Sequence, residues 1–177
     1  MTIALATEAP PFDLPGVDGG QHSLDDYADK PALAVVWSCN HCPYVQAWEG
    51  RMIALQREFG DRGFKLVAIS SNDAANYPED SFDAMKARSE EQGFNFDYLY
   101  DDDQSVLNAY GAERTPEVFL FDRDRRLVYH GAIDDSREEG EVTQRYLRDA
   151  IKAVLAGEDP PVGDTPAVGC TVKRRPA

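Results

Sequence analysis

The stretch LAVVWSCNHCPY, residues 33–44, decides how this chain folds. Leu33 to Trp37 is an unbroken apolar run, rich in β-branched residues and bounded by Pro31 and Ser38, the pattern of a strand buried on both faces. Beyond Cys42 the period changes: Val45, Trp48, Met52, Leu55 and Phe59 recur at helical spacing. Pro43 falls in the first helical turn, where its missing N–H costs nothing, and Gly60 marks the end. The junction therefore carries two cysteines three residues apart, Cys39 and Cys42. The reading puts the Cys39 thiol at the helix N-terminus, where unpaired backbone N–H groups and the helix dipole favour a thiolate over the ordinary thiol of pKa about 8.5. Cys42, one turn along, can resolve a mixed disulfide. His41 between them adds positive charge when protonated and tunes the potential together with its neighbour Asn40.

Outward from this junction, residues 11–30 alternate short apolar stretches with Pro, Gly and Asp and predict a hairpin with a tight turn at Asp18-Gly19-Gly20. Phe64 to Ser70 predicts a second buried strand, Ser81 to Gln92 a charged helix, Asp97 to Tyr100 a third strand, and Ser105 to Tyr110 a short helix ending at Gly111. Glu117–Phe121 and Arg126–His130 flank a polar turn and predict an antiparallel hairpin. A last helix is expected from Thr143 to Leu155, with Leu147, Ala150, Ile151, Val154 and Leu155 on one face and Gly157 beyond it. This order predicts parallel crossover units followed by an antiparallel edge, an α/β sandwich. Residues 1–157 form one domain in this reading. Residues 158–177 form a Pro- and Gly-rich tail containing Cys170, expected to pack on the domain.

The 177 residues carry 18 Lys+Arg against 32 Asp+Glu, a formal charge of −14, with 42% hydrophobic residues. That is enough apolar material for a core, so global disorder is excluded. The negative charge argues against nucleic acid and anionic membranes as partners. Three cysteines are too few for a disulfide scaffold. The opening MTIALATEAPPF has no basic segment followed by an apolar one, so a cytoplasmic protein is expected, as a monomer or weak homodimer. In a reducing compartment, a C-x-x-C pair points to catalysis or metal binding.

With Trp37-Ser38-Cys39-Asn40-His41-Cys42-Pro43 at a strand-to-helix junction and Thr115-Pro116-Glu117 ahead of the late hairpin, the chain resembles the thioredoxin superfamily. The resemblance implies a three-layer α/β/α sandwich with a mixed central sheet, a cis bond before Pro116, and a Thr115 backbone that pairs with an extended substrate segment. The opening PFDLPGVDGGQHSLDDY, the insertion before Asp97 and the phrase YHGAIDD resemble the redoxin branch, the alkyl hydroperoxide reductase and thiol-specific antioxidant family, which holds both peroxidases and thiol-disulfide reductases. The peroxidase motif P-x-x-x-T-x-x-C, laid with its last position on Cys42, meets Cys39 in place of Thr and Val35 in place of Pro. Leu33 stands where thioredoxin has a buried aspartate, leaving Glu49 or Glu117 as substitutes. A histidine directly before the second cysteine resembles the bacterial disulfide oxidases.

The resemblance thus implies a thiol-disulfide oxidoreductase in which Cys39 attacks, Cys42 resolves, His41 and Asn40 tune, and Trp37, Thr115 and Pro116 receive the substrate. The partners would be protein or low-molecular-weight thiols and disulfides, and no metal or organic cofactor is required. A peroxidase and a metal-binding or redox-sensing module are the alternatives. A zinc site would need further ligands from Cys170, His41, His22 or His130, without a second C-x-x-C. Cys170 has two readings: a small apolar tail residue, or a thiol that exchanges with the pair, since similar redoxin-type sequences also end in G-C-x-x-K. Trp48 is read as core, and Trp37 as core or substrate contact. Asp134 and Asp135 are read as caps of their loop, and Asp101-Asp102-Asp103 as the start of the following helix.

Overall fold

The computed structural model describes all 177 residues. Its centre is β3 (Ala32–Ser38), every residue of which is buried. A short hairpin precedes it, β1 (Asp13–Pro15) with β2 (Gln21–Ser23), as the turn residues predict. After β3 come α1 (Pro43–Phe59), β4 (Phe64–Ser70), α2 (Phe82–Gln92), β5 (Asp97–Tyr100) and α3 (Ser105–Tyr110). Then follow β6 (Arg114–Thr115), β7 (Glu117–Phe121), β8 (Leu127–Gly131), α4 (Tyr146–Leu155) and β9 (Cys170–Thr171).

The main sheet has the order β5-β4-β3-β7-β8. β3 pairs in parallel with β4 and antiparallel with β7, so it is the hinge line between a parallel half and an antiparallel half. Its alternating side chains feed two cores. Ala34 and Val36 meet Trp48, Met52 and Phe59 of α1 and Leu147, Ala150 and Ile151 of α4. Leu33, Val35 and Trp37 meet Phe12 and Tyr27 near the hairpin and Leu107 and Tyr110 of α3. The result is the expected α/β/α sandwich with a mixed sheet.

β3 gains a residue at each end and α2 starts at Phe82 with Ser81 as its cap; two further boundaries differ from the sequence reading. α4 starts at Tyr146, not Thr143, because the Thr143 N–H and hydroxyl are both held by the Asp135 carboxylate. The second hairpin strand runs from Leu127 to Gly131, one residue later than expected. Elsewhere the Asp101 carboxylate accepts from the Val106 and Leu107 N–H groups of α3, as read. Asp134 accepts from the Ser136 N–H of its loop but is buried and also holds Trp48 and Arg51 of α1, a role beyond the loop cap expected. Trp48 is core, 3% exposed.

The small sheet formed by β6 and β9 has no counterpart in the sequence reading. Two-residue strands carry no periodicity to detect. They place the tail beside the site.

Candidate active site

Cys39 follows the end of β3, and Cys42 is the N-cap residue of α1, with Pro43 in the first helical position. Both are free thiols and both are buried. The Cys39 Sγ lies 3.7 Å from the Thr115 hydroxyl, and the Cys42 Sγ lies 3.5 Å from the Thr115 carbonyl. Thr115 is itself buried and is joined to Pro116 by a cis peptide bond.

The reduced pair shares a proton unequally. The Cys39 thiol donates to Cys42, and that bond, reinforced by Cys170 and the Val45 backbone N–H, pulls the Cys42 thiol down to about 4 against its burial. Donating that bond, burial and the nearby Asp80 carboxylate push the Cys39 thiol up. The helix position differs from that expected from sequence: Cys42 is the N-cap residue of α1, and Cys39 lies in the loop before it.

The loop between the cysteines is fixed by four hydrogen bonds to Asn40, which is buried. Its backbone N–H donates to Asp80 at 2.7 Å and its side-chain amide to the Glu79 carbonyl at 3.0 Å. Its side-chain oxygen accepts from the Tyr98 hydroxyl at 2.8 Å, and its carbonyl from the Gln46 amide at 2.9 Å. His41 stacks on Tyr77, with ring centroids 5.9 Å apart, and turns Nδ1 to the Asp80 carboxylate. Asp80 is wholly buried and also accepts from the Asn72 side-chain amide at 2.8 Å. The Asn72 oxygen in turn accepts from the Lys173 N–H of the tail at 2.8 Å.

Asp80 is the acidic group at this site, and the sequence did not single it out. It lies 41 residues beyond Cys39 in a short turn before α2, and no spacing ties the two. Of the substitutes weighed from sequence, Glu49 is engaged by Arg88, and Glu117 accepts from His130 at 2.7 Å and from the Glu113 and Arg114 N–H groups. Trp37 is another correction. It is 0% exposed, packs on Tyr110 and Phe119 and donates to the Ser71 hydroxyl at 3.0 Å, so it is core and does not contact a substrate.

Cys39, His41 and Asp80 offer ligand atoms within 4.8 Å of one another, a set able to hold a soft divalent cation. The other histidines weighed as zinc ligands are committed elsewhere: His130 lies between Glu117 and Asp164, and His22 bonds Asp18. His22, Asp18 and Asp97 form a second, more exposed group, in which the Lys65 amine already sits 3.3 Å from Asp97.

With this geometry established, a family model described as the AhpC/TSA family matches residues 5–130. The chain belongs to the AhpC/TSA family. Among curated proteins this AhpC/TSA member is similar to thiol-disulfide oxidoreductase ResA of Geobacillus thermodenitrificans (strain NG80-2). The two are 26% identical over 127 residues, which is 71% of this chain and 67% of that protein. A solved structure of a hypothetical protein from Sinorhizobium meliloti 1021 is 40% identical with a TM-score of 0.94, covering 100% of this chain and 98% of the other. The crystal structure of a putative thiol:disulfide interchange protein DsbE from Chlorobium tepidum has a TM-score of 0.65 at 20% identity, covering 88% and 98%, a likeness of fold alone. The fold of this AhpC/TSA member is thus the thioredoxin fold.

Proposed function

We propose that this protein is a thiol-disulfide oxidoreductase that cycles Cys39 and Cys42 between dithiol and disulfide, acting on protein or low-molecular-weight disulfides. The observation that carries the reading is the pair of free, buried thiols at a strand-to-helix junction, both facing Thr115 beside the cis bond to Pro116. The similarity to relatives named thiol-disulfide oxidoreductase supports it. So does the broken peroxidase motif, with Val35 and Cys39 where Pro and Thr are required.

The chemistry follows from the shared proton. Cys39 attacks one sulfur of a substrate disulfide while its proton passes to the Cys42 thiolate beside it. A mixed disulfide forms and the first substrate thiolate leaves. Cys42 then attacks the Cys39 sulfur, its proton goes to the second leaving thiolate, and two electrons have passed from the protein to the substrate. The direction reverses with the relative potentials. Asn40 fixes the loop, the His41–Asp80 pair sets the charge beside Cys39, and Thr115 with Pro116 lines the approach. No metal or organic cofactor enters this cycle, and the site of action in this reading is the cytoplasm.

Turnover of insulin or glutathione disulfide by the full-length protein tests the reading. Disulfide turnover without peroxide consumption is the expected result, and rapid peroxide reduction without disulfide turnover overturns it. The reduction potential of the pair then gives the direction, since about 30 mV is a tenfold change in a two-electron equilibrium.

A further inference from the structure

The tail brings a third thiol against the pair. β9 runs antiparallel to β6 with Cys170 opposite Thr115, the residue that faces both cysteines. Gly169 makes this approach possible, because a Cβ there would overlap the Thr115 carbonyl. The segment is held firmly beyond Cys170. Val172 is buried and its N–H donates to the Glu113 carbonyl at 3.0 Å. The Lys173 carbonyl accepts from the Asp73 N–H at 2.8 Å and the Gln104 amide at 3.1 Å, and the Arg175 guanidinium meets Asp102 at 2.5 Å. Cys170 is half-buried on the cluster of Cys39, Cys42 and Val45. Its thiol lies against Cys42; burial and then Cys42 push it up to about 11, while the Lys173 amine and the Tyr44 backbone N–H pull the other way. Cys39 faces Asp80 and Thr115 instead.

We propose that Cys170 is a third redox thiol, which exchanges with Cys42 so that the Cys39–Cys42 disulfide isomerises to a Cys42–Cys170 disulfide and returns Cys39 to the reduced state. The inference rests on the reading of Cys39 and Cys42 as a redox pair. In the step, the Cys170 thiolate attacks the Cys42 sulfur. The Cys42–Cys170 bond forms as the Cys39–Cys42 bond breaks, and the electron pair of the broken bond stays on Cys39, which takes up the proton that Cys170 released. No oxidant or reductant is consumed. The oxidised chain thereby keeps an attacking thiol while its tail is strapped covalently to the head of α1.

The step is read by disulfide mapping of the full-length protein equilibrated in glutathione buffers of graded oxidising strength, blocked with iodoacetamide and digested with trypsin. Cys39 and Cys42 share the peptide ending at Arg51, and Cys170 lies in the peptide from Ala153 to Lys173. The expected product links these two peptides and carries the alkyl group on Cys39. In Cys170→Ser this product vanishes and Cys39 of the oxidised protein is no longer alkylated. In Cys39→Ser oxidation yields the Cys42–Cys170 link directly. Cys170 fully alkylated in every oxidised sample, in both the wild type and Cys39→Ser, overturns the inference. If insulin turnover persists in that case, the dithiol reading survives and this inference alone falls. A linked product without any turnover supports the exchange and counts against the dithiol reading.

Discussion

The two cysteines lie three residues apart and face opposite surroundings. On the Cys39 side stands a buried polar lattice, in which Asp80 binds the Asn40 N–H, the Asn72 amide and His41. On the Cys42 side stand the start of α1, the Thr115 carbonyl and the Cys170 thiol. In the first, the bond to Cys42, burial and the Asp80 carboxylate oppose ionisation of Cys39. The second sets the Cys39 and Cys170 thiols and the Val45 backbone N–H, which favour ionisation of Cys42, against burial and the Thr115 carbonyl, which accepts from its thiol. The difference teaches that position within a C-x-x-C pair does not by itself choose the thiolate: the neighbours from distant segments do.

The largest test of this asymmetry removes one sulfur at a time. Cys39→Ser should lower disulfide turnover by at least about a thousandfold, whereas Cys42→Ser should stall at a mixed disulfide that mass spectrometry detects on Cys39. A mixed disulfide on Cys42 in the other variant, with turnover retained, would invert the assignment. Next, Asp80→Asn removes the charge that opposes ionisation of Cys39. The rate of Cys39 alkylation at pH 7 should rise about tenfold, the order expected for removing one nearby like charge. An unchanged rate would show that the lattice positions the loop without setting its chemistry.

The Cys42 side is probed by Gly169→Ala. The added methyl group collides with the Thr115 carbonyl, so β9 should lift, Cys170 should become several-fold more reactive, and stability should fall by about 1–2 kcal/mol. Unchanged alkylation of Cys170 would mean that the tail tolerates the methyl in place. The smallest effect concerns the support beneath β6. Burial opposes the charge on His130, but Glu117 and Asp164 outweigh it and hold its pKa above the ordinary value. The protonated form therefore stabilises the fold fully below about 6.5, and this contribution is lost as pH rises through the raised folded value. Comparing thermal unfolding of wild type and His130→Phe between pH 5 and 9 should show the gap closing at the alkaline end, by less than about 1 kcal/mol. A gap independent of pH would mean that His130 packs without titrating.

The sheet and its helices were legible because their signals are local. The run at β3, the period of α1 and the polar turn between β7 and β8 each need only neighbouring residues to be read. The dithiol was legible for the same reason. What the sequence hid is what long separations assemble: Asp80 reaches Asn40 across 40 residues, Tyr98 reaches it across 58, and Lys173 reaches Asn72 across 101. Trp37 could be read either way from its place beside the cysteines, and the strand's alternation turned it into the core opposite α1. The start of α4 moved because one threonine bonded Asp135 before the helix could begin.

Asn72 holds the tail with its oxygen and Asp80 with its amide nitrogen, so its amide orientation is fixed from both ends. Such a group is a natural spectroscopic observer. In a nitrogen-15 spectrum, its side-chain amide protons should be shifted and slow to exchange while the tail is seated, and should approach free-amide behaviour when β9 lifts. One resonance, on a side chain that carries no sulfur, would then report the docking of the tail without a label on the residues that react.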